Sequence, residues 1–360
     1  MTDVALVVEG SYPYVTGGVS AWVQQLIEGL PDVSFSVANL GGADISAYER
    51  PANLVEIVDL ELDPETGESA GELPEASVYH ALATGSASSA AARAARDRNG
   101  AFVLSEHGLA WLEARLGIVG CGPKHVNDAD RIEAQARRAY REASVVTAVC
   151  AWSARRQTSL GASGVRVLEN AAFLSERERE RDASPPLIGF VGRVVPVKDV
   201  LAFIDACRAI ADEVPAARFV VVGPLDQDAG YAERCHARAE SLALDVLFTG
   251  ASDPSAWYAQ LDALVLTSRS EAQPLVALEA MAAGVPVVAT DVGGCADLLR
   301  GCGLVTRVGD PAQTAAAVLR VLRDEHLRAT LTNAARFRIE QRHAPAALAG
   351  SFRTLYEAAA

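Results

Sequence analysis

The sequence predicts an α/β fold built from two Rossmann-like domains with parallel sheets. Short runs rich in β-branched residues alternate with segments of helical period along the whole chain, a pattern typical of βα units. The chain has 360 residues, of which 50% are hydrophobic and 22% charged, enough for two domains of roughly 100 to 200 residues that each bury a core. A charge run ending in Pro185-Pro186 interrupts the alternation near the middle and marks a domain boundary.

The first domain is predicted to span residues 1–175. A strand over 4–9 leads through the Gly17-Gly18 turn into a helix that ends near residue 30. The remaining strands are predicted at 35–40, 54–60, 78–82, 102–105, 145–149 and 165–168, and the helices at 86–98, 128–143 and from 151 onward.

Residues 176–186 are predicted to form an exposed linker, and residues 187–343 a second domain. Its strands are predicted at 187–191, 219–222, 246–249, 263–267 and 285–290, each followed by a helix-compatible segment, and its late helices at 311–325 and 328–341. Residues 344–360 are expected to form a C-terminal helix that packs back on the first domain. Open parallel sheets bind ligands beyond the carboxyl ends of their strands, so the site is expected in a cleft between the two domains.

Composition excludes several functional classes. The chain carries 32 Lys and Arg against 46 Asp and Glu, a net charge of -14, and this argues against a nucleic-acid partner. No stretch approaches the roughly 18 to 20 apolar residues of a membrane span and no signal peptide is evident, so we expect no integral membrane segment and a cytoplasmic location. Six Cys without a Cys-x-x-Cys pair predict neither a disulfide framework nor a zinc site. The motifs of serine hydrolases and zinc peptidases are also missing.

The strongest motif is a pair of carboxylates, Glu271 and Glu279, around a helix start. Pro274 suits the first helical position and Gly284 the position after the end, which predicts a helix over 274–283. Free amides at its N-terminus favour a phosphate or a sugar oxygen, and a carboxylate within the helix can accept hydrogen bonds from a vicinal diol such as ribose. Taken alone, such a pair is more often two solvated residues.

A second motif runs from Gly192 to Lys198 at the end of a predicted strand. Gly192 allows the backbone to approach a ligand closely, and Arg193 and Lys198 supply two cations. Arg grips a diphosphate through paired donors, whereas Lys acts as a compact charge. Taken alone, this pattern is also typical of surface cations that cap a helix.

The first domain contributes a Gly-rich loop and two histidines. Gly17-Gly18 follows a strand and precedes an amphipathic helix, an arrangement that lets main-chain amides approach a phosphate or a glycosyl group. The loop lacks Gly-x-Gly-x-x-Gly and the Gly-Lys-Ser/Thr of a P-loop, which disfavours nicotinamide and ATP hydrolysis. His107, and with less weight His80, lies at a strand end where it can hydrogen-bond a sugar hydroxyl, although a lone His is more often a packing residue.

These four segments, in this order and each at a strand end, resemble the retaining glycosyltransferases of family 4, which have the GT-B fold. The residues that carry the resemblance are Val8-Glu9-Gly10-Ser11-Tyr12-Pro13-Tyr14-Val15-Thr16-Gly17-Gly18-Val19-Ser20-Ala21-Trp22, Glu106-His107-Gly108, Gly192-Arg193-Val194-Val195-Pro196-Val197-Lys198-Asp199-Val200, and the block from Thr267 to Glu279. Within the family they are most similar to the PelF-like branch. The resemblance covers most of the chain and is densest from 187 to 300.

The resemblance implies a role for each matching residue. Arg193 and Lys198 match the cations that bind the donor diphosphate, Glu279 the ribose-binding Glu, and Glu271 the Glu near the donor sugar. His107 matches the first-domain His beside the transferred sugar. The remaining implied donor contacts are Gly17, Gly18, Gly192, Pro274, Leu275 and the flanking loop 290–295, and the expected acceptor-side residues are Tyr14, His80 and Glu106.

The resemblance therefore implies a retaining hexosyltransferase that uses a nucleotide sugar, most simply a UDP-hexose such as UDP-glucose, with no cofactor and no metal. The acceptor is expected to be a glycan, a lipid or a small molecule. Its identity stays open because Glu169-Asn170-Ala171 stands where relatives carry Pro-Asn-Gly, and because the first domain is short. The alternatives are a UDP-sugar epimerase, a phosphorylase-like enzyme of the same fold, and a non-catalytic nucleotide-sugar-binding subunit.

Overall fold

The computed structural model describes residues 1–15, 17–42, 45–63, 69, 71–118, 129–174 and 185–360. Their contacts divide the chain into two compact units. Among the described residues, the first unit contains 1–116, 129–170 and 345–360, and the second contains 117–118, 171–174 and 185–344. The predicted linker 176–186 lies almost entirely outside the described residues, and only Pro185 and Pro186 of it are described.

The first unit is built on a seven-stranded parallel sheet with strand order β3-β2-β1-β4-β5-β6-β7. Strands β1 to β7 are Thr2–Glu9, Phe35–Leu40, Leu54–Leu60, Ala76–Ala81, Ala101–Glu106, Val145–Ala148 and Arg166–Val167. Helices α1 to α5 are Gly18–Gly29, Ser86–Asp97, Ala110–Arg115, Ala129–Glu142 and Ala151–Ser159. The central strands are buried on both faces, which explains why they are rich in apolar residues and why their few polar side chains, such as Asn39 and Ser105, are buried as well.

The second unit is built on a six-stranded parallel sheet with order β10-β9-β8-β11-β12-β13. Strands β8 to β13 are Leu187–Val191, Arg218–Val222, Val246–Phe248, Ala263–Leu266, Val287–Thr290 and Leu304–Thr306. Helices α6 to α12 are Val200–Glu213, Ala229–Ser241, Pro254–Tyr258, Leu275–Ala282, Cys295–Leu299, Pro311–Arg323 and Glu325–Arg342. Two core clusters cover the two faces of this sheet. The predicted α/β class with two Rossmann-like domains is confirmed.

The last helix, α13 (Pro345–Ala359), belongs to the first unit. Phe352 and Tyr356 of α13 are buried against Trp22, Phe35 and His80. The Tyr356 hydroxyl lies 2.7 Å from Nδ1 of His80. The first unit is therefore completed by residues that follow the second unit in sequence.

Two short elements are absent from the sequence prediction: α3 and the edge strand β13. Each is too short to show a hydrophobic period. Pro274, predicted to be the first helical residue, is instead the N-cap of α9, with φ -70° and ψ 120°. In the part of the chain that is described, no helix has both the length and the apolar character needed to cross a membrane.

Candidate functional site

In the second unit, the loop that carries Arg193 and Lys198 begins at a close crossing of two strand ends. The Gly192 amide donates to the Val222 carbonyl at 2.8 Å. A Cβ atom at Gly223 would lie 2.0 Å from the Gly192 carbonyl oxygen, so only glycine fits there. This contact joins the loops after β8 and β9 at the carboxyl edge of the sheet.

The same loop is tied to the end of β11. Thr267 Oγ1 donates to the Asp199 carbonyl at 2.8 Å, and the Arg269 amide donates to the Val197 carbonyl at 2.8 Å. These bonds bring two sequence-predicted residues into contact, because Lys198 Nζ lies 2.5 Å from Glu271 Oε1.

The Lys198–Glu271 ion pair is largely shielded from solvent. The Lys198 side chain is 20% exposed and the Glu271 side chain 10%. Ser268 Oγ donates to the same carboxylate oxygen at 2.7 Å. Glu271 Oε1 thus accepts a charged hydrogen bond from the neighbouring loop and a neutral one from its own loop, which fixes the Lys198 ammonium at the edge of the sheet.

A glycine in the loop after β12, Gly293, packs against the backbone of Glu271. Gly293 has φ +57°, and a Cβ atom there would lie 1.4 Å from the Glu271 carbonyl oxygen. The neighbouring Gly294 amide donates to the Ala272 carbonyl at 2.9 Å. The predicted flanking loop, residues 290–295, therefore contacts the backbone of the Glu271 loop directly.

Helix α9 begins directly after the loop that carries Glu271. Pro274 has no N–H, and the first amides of a helix have no acceptor within their own helix, which leaves those of Leu275 and Val276 as donors. No side-chain cap occupies this end among the described residues. Such an end favours an anion or an electron-rich oxygen.

Glu279 lies in the second turn of α9 and is half-buried. Its Oε2 accepts a hydrogen bond from the Tyr258 hydroxyl at 2.8 Å. Burial raises the pKa of Glu279, and the hydrogen bond from Tyr258 lowers it. Arg193, the other cation of the second motif, does not share the carboxylate partner of Lys198 among the described residues. Its Nη1 donates to Gln227 Oε1 at 3.2 Å.

In the first unit, the Gly-rich loop leads directly into α1. Gly17 is the N-cap of α1, Gly18 is its first residue, and no side chain caps this end among the described residues. The N-terminus of α2 differs, because Glu9 Oε1 accepts a hydrogen bond from the Ala87 amide at 2.7 Å. Of these two helix ends, α1 offers its amides to a ligand, whereas α2 already holds a carboxylate.

His107 lies at the end of β5 with its ring 4.5 Å from that of Trp22. Its Nε2 is buried and has no hydrogen-bond partner among the described residues. Burial lowers the pKa of His107 to about 4, so the imidazole is neutral at pH 7. A neutral imidazole can donate or accept one hydrogen bond at each nitrogen according to its tautomer.

Two of the three expected acceptor-side residues, His80 and Glu106, are core residues of the central strands. His80 has no exposed surface, and its Nε2 lies 2.7 Å from Ser105 Oγ, so both ring nitrogens are occupied. Glu106 is 2% exposed and accepts hydrogen bonds from Thr84, Tyr140 and Gln157. Neither side chain is free to contact an acceptor.

Tyr14, the third expected acceptor-side residue, is only half-buried. Its hydroxyl donates to Asp59 Oδ2 at 2.7 Å, which joins the loop after β1 to the end of β3. Tyr14 therefore keeps the surface position that an acceptor contact requires.

Sequence reasoning did not anticipate the contacts of three residues: Ser268 with Glu271 and Tyr258 with Glu279 in the second unit, and Trp22 with His107 in the first. Ser268 lies within the Thr267-to-Glu279 block, and its place three residues before Glu271 is a detectable signal. Tyr258 and Trp22 are distant in sequence from Glu279 and His107, and their positions follow only from the packing of α8 on α9 and of α1 on the sheet.

Family models match both halves of the chain. Residues 185–324 match the model described as "Glycosyl transferases group 1". Residues 2–71 and 68–164 match a domain of unknown function, DUF3492. The Lys198–Glu271 pair, Glu279 and Tyr258 all lie within the first of these matches.

Curated relatives match part of the chain. The Vi polysaccharide biosynthesis protein VipC/TviE of Salmonella typhi is 40% identical over 113 residues, which cover 31% of this chain and 19% of the relative. D-inositol 3-phosphate glycosyltransferase of Acidothermus cellulolyticus is 33% identical over 230 residues, covering 55% of this chain and 51% of the relative. The chain thus spans between about a fifth and about half of the length of these relatives.

Solved structures match the whole chain. Sucrose-phosphate synthase from Thermosynechococcus elongatus superposes with a TM-score of 0.80 at 19% identity, covering 98% of both chains. HepE of Anabaena in complex with UDP and glucose superposes with a TM-score of 0.79 at 18% identity, covering 99% of this chain and 100% of HepE. The fold is that of GT-B glycosyltransferases. The Lys198–Glu271 ion pair lies in the second unit, which contains the residues that match the group 1 glycosyltransferase model.

Proposed function

We propose that this GT-B chain is a retaining glycosyltransferase, similar to family 4 and its PelF-like branch, that transfers a hexose from a UDP-hexose such as UDP-glucose to an acceptor hydroxyl. The observation that carries the proposal is the shielded Lys198–Glu271 pair beside the uncapped N-terminus of α9. A cation and free helix amides on the loops after the neighbouring strands β8 and β11 suit the diphosphate of a nucleotide sugar. HepE, which has the same fold, was solved with UDP and with UDP-glucose, and this supports UDP as the nucleotide.

In the proposed reaction, the acceptor oxygen forms a bond to the anomeric carbon on the face from which the diphosphate leaves. The bond between the anomeric carbon and the β-phosphate oxygen breaks, and the acceptor proton passes to that leaving oxygen. Arg193 and Lys198 stabilise the charge that develops on the diphosphate. This role needs no metal ion, since both cations belong to the protein.

The other residues position the donor. Glu279 accepts hydrogen bonds from the ribose hydroxyls, and Glu271 orients the hexose and the Lys198 ammonium. His107, neutral because of its lowered pKa, hydrogen-bonds a hydroxyl of the transferred sugar. Gly17 and Gly18 bring the N-terminus of α1 to the donor, and Tyr14 lies on the acceptor side.

The test is a binding screen with UDP-, GDP- and ADP-sugars, read by thermal shift and calorimetry, because a ligand that binds the folded state raises its stability. We expect one nucleotide to raise the melting temperature of the wild-type protein. Lys198→Ala should weaken its binding by about 10- to 100-fold, since a charge-assisted contact to phosphate is lost. Arg320→Ala, an exposed cation on α11, is the control and should bind like wild type.

Product analysis separates the alternative activities. A transferase gives a glycosylated acceptor or slow hydrolysis of the donor, whereas an epimerase changes the sugar nucleotide with no acceptor present. A binding subunit gives neither product. No thermal shift with any of the sugar nucleotides would contradict the proposal altogether.

A further inference from the structure

The Glu279 carboxylate accepts a hydrogen bond from a tyrosine, Tyr258, that lies outside the sequence motifs. Tyr258 is the last residue of α8, and its side chain is 4% exposed. Its hydroxyl donates to Glu279 Oε2 at 2.8 Å. Among the described residues, this carboxylate oxygen is the only hydrogen-bond partner of the Tyr258 hydroxyl.

The position of the Tyr258 ring is fixed independently of Glu279. The ring belongs to the core cluster that also contains Leu261, Leu278 and Ala282. Helix α8 itself starts at a defined place, because Asp253 accepts a hydrogen bond from the Ser255 amide at 2.9 Å and Pro254 follows as the first helical residue. The hydroxyl is therefore a stationary donor, and the flexible partner is the glutamate.

A glutamate side chain without such a partner would sample several rotamers around its two sp³ torsions. The bond from Tyr258 tethers Oε2 and leaves all of Oε1, together with the second lone pair of Oε2, for further donors. A vicinal diol offers two O–H donors of that kind. The tether thus removes conformational freedom that a ligand would otherwise have to remove on binding.

We propose that Tyr258 is a positioning residue for nucleotide recognition, which holds the Glu279 carboxylate in the orientation that accepts hydrogen bonds from ribose. The inference rests on the proposed function, because it gives Glu279 the role of ribose acceptor. The role proposed for Tyr258 has a specific consequence. Loss of the Tyr258 hydroxyl should weaken the binding only of ligands that carry ribose hydroxyls.

The experiment measures binding of UDP and of 2′,3′-dideoxy-UDP by calorimetry to wild type, Tyr258→Phe and Tyr231→Phe. Tyr231→Phe is the matched control, because Tyr231 is also buried in the second unit and its hydroxyl accepts a hydrogen bond from the Leu201 amide. We expect Tyr258→Phe to bind UDP about five- to tenfold more weakly, the scale of the net contribution of one typical hydrogen bond. Its binding of dideoxy-UDP should stay within about twofold of wild type, and this unchanged affinity also shows that the site is folded.

Two results would overturn the inference alone: equal weakening of UDP and dideoxy-UDP by Tyr258→Phe, which indicates a structural role, or unchanged binding of both. A UDP loss of the same size in Tyr231→Phe would overturn it as well. If the donor screen selects GDP or ADP, the same comparison uses that nucleotide and its dideoxy analogue. A wild-type protein that binds none of these nucleotides contradicts the proposed function, and the inference with it.

Discussion

Lys198 and Glu271 neutralise each other in the absence of a ligand. The two side chains are 20% and 10% exposed, with 2.5 Å between Nζ and Oε1, so their attraction is screened much less than that of a surface pair. A diphosphate that approaches Lys198 has to compete with the Glu271 carboxylate. In the proposed function, Glu271 therefore keeps the ammonium in place and at the same time lowers its attraction for the nucleotide.

This competition predicts opposite effects on binding and on turnover. Glu271→Gln removes the negative charge while the amide can still accept the hydrogen bond from Ser268. We expect UDP to bind about three- to tenfold more tightly, because the Lys198 charge is no longer neutralised. Transfer should fall by more than about tenfold, because the hexose loses its positioning group. Calorimetry with UDP and a transfer assay measure the two effects separately.

Glu213→Gln is the control for this substitution, since Glu213 forms an ion pair with Arg323 on the surface of the same unit, at 2.8 Å and with both side chains more than half exposed. It should change neither quantity. Weaker UDP binding in Glu271→Gln would contradict the competition and indicate that the carboxylate supports the nucleotide site instead.

At the scale of secondary-structure elements, removal of α13 is expected to destabilise the first unit, because this helix buries aromatic side chains there. Phe352 is 1% exposed and packs on Trp22 and His80 with ring centroids 5.2 Å and 5.7 Å apart. Arg353 and Asp32 form an ion pair beside it. The helix thus closes the apolar face of α1 and of the neighbouring sheet.

Phe352→Ala is expected to destabilise the first unit by about 3 to 5 kcal/mol, the usual cost of truncating a buried phenylalanine. Phe337→Ala on α12 removes the same atoms from a side chain that is 63% exposed, and should change the free energy of unfolding by less than about 0.5 kcal/mol. Denaturant unfolding followed by circular dichroism measures both variants. Equal losses in the two variants would show that α13 does not stabilise the unit through its buried face.

Long elements could be predicted from the sequence and short ones could not. The buried strands β1, β2 and β8 are rich in apolar residues, and their observed bounds match the predicted ranges closely. Strand β13 is three residues long and carries no periodic signal. The same distinction applies to the site: Lys198 and Glu271 belong to a local pattern, whereas Tyr258 reaches Glu279 only through the packing of α8 on α9.

The molecule as a whole is acidic, with a net charge of -14, yet three of its ionisable groups with strongly shifted pKa values are buried in the first unit. Burial raises the pKa of Glu106 to about 7. Burial lowers the pKa of His80 to about 3 and that of His107 to about 4. The folded state therefore holds the Glu106 proton more tightly than the unfolded chain does, and it resists protonation of both histidines.

The two kinds of pKa shift change the free energy of unfolding with pH in opposite directions. The Glu106 contribution is fully present below its unfolded pKa of 4.5 and is lost as the pH rises to about 7. The histidine contributions are fully present above 6.5 and are lost as the pH falls toward 4 and 3. Where the two ranges overlap, from pH 6.5 to 4.5, the two kinds of group oppose each other.

Glu106→Gln removes one side of this balance. Between pH 7 and pH 4.5, the free energy of unfolding of the variant should fall relative to wild type by up to about 3 kcal/mol, the value of a shift of this size. Denaturant titrations of both proteins at a series of pH values measure the difference. A difference that stays constant over this range would show that Glu106 keeps its charge in the folded protein.

The return of α13 to the first unit also has a consequence for synthesis on the ribosome. The chain emerges from its N-terminus, so residues 187–342 leave the ribosome before the residues that complete the first unit. The second unit can form its sheet while Trp22 and His80 still lack the cover of Phe352. We therefore expect the half of the protein that is translated first to be the last to become protease-resistant, as pulse-labelled nascent chains would reveal.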